Sequence, residues 1–131
     1  MASRIPDDFP RKIVLGATGH LGAILRAFWP NDASIVWQSR QKTHGFSFID
    51  PLSDPQTWPA KTFNPQAVFC LSGITPARAA QTGARMGDNI DLALAAIRAS
   101  ATLGAHRVSL ASSAAVYGAE DGEMDETAIC N

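Results

Sequence analysis

The sequence predicts an α/β fold, a doubly wound parallel sheet of about five strands in the order 3-2-1-4-5. Three observations carry this expectation. Short apolar, β-branched runs alternate with helical segments, which implies parallel βαβ units. The first run ends on a glycine-rich loop that opens a helix. The length of 131 residues, with 46% hydrophobic and 18% charged, is that of one domain with a packed core and no room for a second.

Residues 1 to 10 read as an irregular lead-in broken by Pro6 and Pro10. Lys12-Ile13-Val14-Leu15 is a buried strand stopped by Gly16. Leu21 to Trp29 is helical and is ended by Pro30. Ser34 to Gln38 is a second strand. Phe46 to Ile49 is a short third, closed by the proline-rich Asp50-Pro51-Leu52-Ser53-Asp54-Pro55. Ala67 to Leu71 is a fourth strand, and Pro76 to Met86 reads as either helix or loop. Asp88 to Leu103 is a helix, with Asp88 or Asn89 as its cap, Ile90, Leu94, Ile97 and Ala101 on one face, and Gly104 as its stop. Arg107 to Ala111 is a fifth strand. Beyond Tyr117 the chain turns acidic, with Glu120, Asp121, Glu123, Asp125 and Glu126. Sheets of this kind bind ligands at the carboxyl ends of their strands, near the switch point between the first and the fourth.

The loop is Gly16-Ala17-Thr18-Gly19-His20-Leu21-Gly22. Gly16 permits a sharp turn off the strand, Gly19 a close approach to a pyrophosphate, and Gly22 tight packing of the helix on the sheet. Free N–H groups at the helix start would face the phosphate charge, and the Thr18 hydroxyl adds a donor. Strand before and helix after make dinucleotide binding the favoured reading over a turn that binds nothing. The spacing G-x-x-G-x-x-G is one residue longer in its first gap than G-x-G-x-x-G.

A formal net charge of −1 argues against a nucleic-acid partner. No apolar run reaches membrane-spanning length, and the first residues carry no signal-peptide stretch, so the expected compartment is the cytoplasm. Cys70 and Cys130 make no disulfide framework, and His20, His44 and His106 are scattered with no zinc pattern.

The glycine spacing, together with Val108-Ser109-Leu110-Ala111-Ser112-Ser113-Ala114-Ala115-Val116-Tyr117-Gly118, resembles the extended short-chain dehydrogenase/reductase family. The nearest group is its NAD-dependent epimerase/dehydratase enzymes, many of which act on nucleotide sugars. Ala67-Val68-Phe69-Cys70-Leu71-Ser72-Gly73 is similar to the family's fourth strand, whose end lies beside the cofactor. Asn89-Ile90-Asp91 is similar to the start of its central helix, although Leu92-Ala93 replaces the usual Gly-Thr. The resemblance spans about residues 11 to 131. It implies a Rossmann-like fold, hydride transfer with a small-molecule substrate, Ser113 as the active-site serine, and cofactor contacts from Leu71, Ser72, Gly73 and Asn89. It also places Asp50 against the adenine, with Pro51 departing from the usual aliphatic residue. Tyr117 is not the tyrosine that the family uses.

The family's acid/base pair is Y-x-x-x-K. Tyr117 is the one tyrosine here and no lysine follows it. The expectation is a dinucleotide-binding domain over residues 1–131, truncated before that pair, its sixth strand and the substrate lobe, and inactive alone. Its fifth strand would then be an exposed edge, through which the chain would self-associate.

NAD preference rests on an acid at the end of the second strand. Trp37-Gln38-Ser39-Arg40-Gln41-Lys42 has none, while Arg40 and Lys42 suit a 2′-phosphate. NADP is therefore favoured over NAD, with a solvated basic loop as the competing reading. Arg78 and Arg85 are candidates for a phosphate-bearing substrate, or ordinary surface arginines. Two functions stay open: the cofactor-binding part of an epimerase, dehydratase or reductase, and a non-catalytic dinucleotide-sensing module on the same fold. A flavodoxin-like receiver explains neither the glycine spacing nor the serine motif.

Overall fold

Period-two alternation along each strand sends successive side chains to opposite sides of a sheet, and the chain uses both sides. The computed structural model describes residues 11–29, 34–59, 64–74, 76–85, 87–112 and 125–127. Ser113, Tyr117, the lead-in Met1 to Pro10, Pro30, Glu120, Asp121, Glu123 and Cys130 lie outside the described residues. Strands β1 (Lys12–Leu15), β2 (Ile35–Ser39), β3 (Ser47–Phe48), β4 (Ala67–Cys70) and β5 (Arg107–Leu110) form one parallel sheet in the order β3-β2-β1-β4-β5. This is the doubly wound order the sequence predicts. Helices α1 (His20–Phe28), α2 (Pro76–Thr82) and α3 (Asp88–Leu103) complete the order of elements.

On one side of the sheet, Ile13, Leu15, Val36, Val68 and Cys70 pack with Ala96, Ala99 and Leu103 of α3. Ile49 and Trp58 join this cluster. Trp58 follows a single 3-10 turn at Pro55–Thr57, and its indole Nε1–H donates to Ser53 Oγ at 3.0 Å. The proline-rich stretch after β3 thus covers the core as well as closing the strand. On the other side, Val14, Ala17, Ile35 and Trp37 pack with the half-buried Leu25, Trp29, Phe46, Phe69 and Leu71. Trp29 lies 6.0 Å from Trp37 and 5.6 Å from Phe69 between ring centroids. The Arg26 guanidinium stands 4.0 Å over Phe46 and 5.4 Å over Trp37, a cation–π arrangement that joins α1 to the loop before β3.

The helix ends follow local chemistry. Trp29 closes α1 in an extended conformation (φ −81°, ψ 140°), as the residue before a proline prefers. Gly104 closes α3 at φ 77°, with the Ala105 N–H donating to Ser100 O at 2.9 Å. The ambiguous stretch from Pro76 is helical as far as Thr82.

Two expectations for α3 are corrected. Gly87 stands at its N-cap and no side chain caps it, so Asp88 and Asn89 lie inside the helix. Asp88 and Asp91 occupy its first turn, where the helix dipole favours negative charge. The face packed on the sheet is Leu92, Ala95, Ala96, Ala99, Ser100 and Leu103, whereas Ile90, Leu94, Ile97 and Ala101 are exposed. Small side chains let the helix backbone come close to the strands, which large branched residues would prevent. At the sheet edge, β5 is exposed along its whole length, including Val108 and Leu110. No helix among the described residues is long and apolar enough to cross a membrane.

Candidate functional site

The carboxyl ends of β1, β2, β3 and β4 converge on the glycine loop. Gly16 turns the chain off β1 at φ 76°, and a Cβ there would meet Ser72 N at 2.5 Å. The loop therefore lies directly against the segment that leaves β4. Gly19 N donates to Gly16 O at 3.1 Å and closes the turn. Gly22 sits where a Cβ would collide with the Ala17 backbone, so its close approach is to the loop itself. Gly19 differs from both. Its backbone is ordinary extended chain (φ −77°, ψ −177°), and a Cβ would find only Gly16 O, at 3.4 Å.

Helix α1 begins on this loop with no side-chain cap and no acidic residue in its first turn. Its first N–H groups thus have no side-chain acceptor supplied by the cap position, a setting that favours an anion. Thr18, Gly19, His20 and Leu21 are exposed there.

On the β4 side, Leu71 N donates to Leu15 O at 2.9 Å and the Leu71 side chain packs with the aromatic cluster. Ser72 is half-buried and Gly73 is exposed. Asn89 reaches back from α3 and grips one peptide: its Oδ1 accepts from Ile74 N at 2.6 Å, and its Nδ2 donates to Ile74 O at 3.0 Å. Its carboxamide is committed to holding this loop. Cys70 ends β4 on the buried side, and burial pushes its thiol above the ordinary value, against a smaller lowering effect of hydrogen bonds from Ser72.

On the β2 side, Arg40 is exposed just beyond the strand. Lys42 Nζ lies 5.8 Å from the Phe48 ring centroid, beside the end of β3. Asp50 follows β3 and folds its own turn, with Oδ1 accepting from Leu52 N at 3.0 Å. Between these segments sits Gln38. Its Oε1 accepts from Gly16 N at 2.7 Å and its Nε2 donates to Ile49 O at 2.9 Å.

The profile of the NAD dependent epimerase/dehydratase family matches residues 13–130. The chain belongs to this family. No curated protein and no solved structure matches it. Family membership carries NAD-dependent, oxidoreductase-type chemistry. The residues present fit a dinucleotide. The two glycines that the protein itself requires shape the loop, while the third leaves open space beside an uncapped helix start. Among the described residues, no group of three or more His, Cys, Asp or Glu is placed to hold a metal ion.

The structure brings Gly16, Thr18, Gly19, His20, Leu21, Gly22, Leu71, Ser72 and Gly73 to one end of the sheet, with Arg40 and Asp50 on its β2–β3 flank. Asn89 is adjacent but occupied by Ile74. The sequence-based reading of the family's site passed over Gln38. The signal was a long amide side chain directly after the three apolar residues that open a buried strand, which obliges hydrogen-bond partners for it.

Proposed function

We propose that the chain is the dinucleotide-binding portion of an epimerase, dehydratase or reductase acting on a small molecule. In this reading it prefers NADP to NAD. The observation that carries it is the uncapped start of α1 on a glycine loop packed against the end of β4. Gly19 leaves the space for a close approach, the first N–H groups of α1 bind the pyrophosphate, and Thr18 adds a hydroxyl donor. Arg40 holds a ribose 2′-phosphate, with Lys42 beside it, because both are cations at the place where a carboxylate would select NAD. Asp50 borders the adenine end, and Leu71, Ser72 and Gly73 wall the opposite side. Ser113 donates a hydrogen bond to the reacting oxygen of the substrate and stabilises charge there. A bound nicotinamide supplies hydride transfer. The residues of the chain bind, orient and shield it. The exposed edge at β5 is the surface through which copies associate.

Calorimetric titration tests the reading. NADP is expected to bind about tenfold more tightly than NAD, the scale of one charge-assisted contact. Tighter NAD binding overturns the cofactor preference, and binding of neither overturns the whole reading. Where turnover is measurable, Ser113→Ala lowers kcat about a hundredfold at unchanged dinucleotide affinity. Tight binding with no turnover under any substrate, measured on the product of the whole open reading frame, favours the sensing module instead.

A further inference from the structure

One buried polar side chain of the site has two backbone partners and no role in the proposed function. Gln38 is 2% exposed, in a strand whose preceding residues Ile35, Val36 and Trp37 are apolar and buried. Its carboxamide bonds backbone groups 22 residues before it and 11 after it. The first partner, Gly16 N–H, opens the glycine loop. The second, Ile49 C=O, immediately precedes Asp50. The Ile49 N–H goes to Ser39 O at 3.0 Å, so the end of β3 is held through both of its peptide groups, one of them by Gln38.

We propose that Gln38 is a positioning residue for dinucleotide binding, one amide that fixes the glycine loop and the Asp50 turn relative to each other across β2. The proposal rests on the dinucleotide-binding reading above. Ligands of such sheets lie across the carboxyl ends of the strands, and these two segments bracket the adenosine half. Only a neutral group with an acceptor at one end and a donor at the other satisfies both partners. The amide commits the Gly16 N–H to the protein, as the turn commits the Gly19 N–H to Gly16 O, which leaves anion binding to the first N–H groups of α1, from His20 onward.

Three variants of the full chain test this. Gln38→Leu keeps the volume roughly and leaves Gly16 N–H and Ile49 C=O without their partner. Val36→Ala, in the same strand and buried in the core, disturbs stability without touching the loop. Gln38→Leu is expected to weaken NADP binding at least about tenfold at a temperature where it stays folded, while Val36→Ala stays within about threefold. Amide hydrogen exchange without ligand is expected to rise at Gly16–Gly22 in Gln38→Leu alone. Gln38→Glu adds a pH readout. Its protonated acid accepts from Gly16 N–H and donates to Ile49 C=O, whereas its carboxylate loses the donor. Affinity relative to the parent should therefore be near one at low pH and fall as pH rises through the introduced pKa, which burial lifts above about 4.3. Arg40, His20 and Asp50, the charged or titratable groups on the flanking segments, are exposed, and the ratio to the parent cancels their contribution. Equal losses in Gln38→Leu and Val36→Ala, unchanged loop exchange, or a flat pH ratio would each overturn the proposal. If the parent binds neither dinucleotide, the functional reading falls, and loop exchange still decides whether Gln38 anchors the loop.

Discussion

The three glycines of the loop have three different reasons to be glycine, and substitution separates them. Gly22→Ala drives a methyl into the Ala17 backbone, where neither partner is a flexible side chain, so soluble expression or a cooperative melt should be lost. Gly19→Ala meets nothing closer than 3.4 Å and should melt within a few degrees of the parent. Its dinucleotide affinity should still drop about tenfold or more if the proposed site holds, because the methyl would enter the space assigned there to the pyrophosphate. A Gly19→Ala variant that binds normally would show that this space is not the ligand's. Arg40→Glu is expected to reverse the NADP-over-NAD ranking in the same titration, since it places a carboxylate where a 2′-phosphate would meet a cation. All three glycines were legible from spacing alone. So was a separate role for each, but not what each one meets: Gly22 lies against the Ala17 backbone instead of the sheet and Gly16 against Ser72, which only the packing of the loop supplies.

At the scale of the element, α3 does two things at once. Its small face seats it close to the sheet, and Asn89 in its first turn clamps Ile74. Ala96, fully buried against the strands, has no space for a larger side chain. Ala96→Leu should cost about 1–3 kcal/mol of unfolding free energy in denaturant titrations. Leu94→Ala, on the exposed face, should stay within about 0.5 kcal/mol. The reverse ranking would mean that the helix meets its neighbours through the other face. Strand order, strand positions and the helix span were readable because alternation and periodicity are local signals. The buried face of α3 was not readable from Ile90, Leu94 and Ile97. Hydrophobicity ranks large residues first, whereas close helix–sheet contact selects small ones. The bonds of Gln38, and the clamp that Asn89 makes on Ile74, escaped for a related reason: a side chain that bonds distant backbone has no sequence neighbour to betray its partner.

At the scale of the molecule, the two faces of the sheet differ in what covers them, and among the described residues β5 is an edge strand with Val108 38% and Leu110 43% exposed. A strand edge flanked by apolar side chains invites pairing with another copy. Val108→Lys should shift sedimentation toward monomer and raise solubility, with the melting temperature little changed. An unaltered distribution of species would sink the proposal that copies associate through β5. The placement of the indoles has a spectroscopic consequence. Trp29 and Trp37 lie against each other on the α1 side, with Arg26 over Trp37, while Trp58 is buried alone on the α3 side. The molecule thus carries a chromophore set for each layer. Coupled indoles give the α1 side an asymmetric near-ultraviolet circular dichroism band, and Trp58 gives the α3 side a blue-shifted emission. If the layers come apart at different denaturant concentrations, the two optical signals will part company, and a single molecule will report which half of its core gives way first.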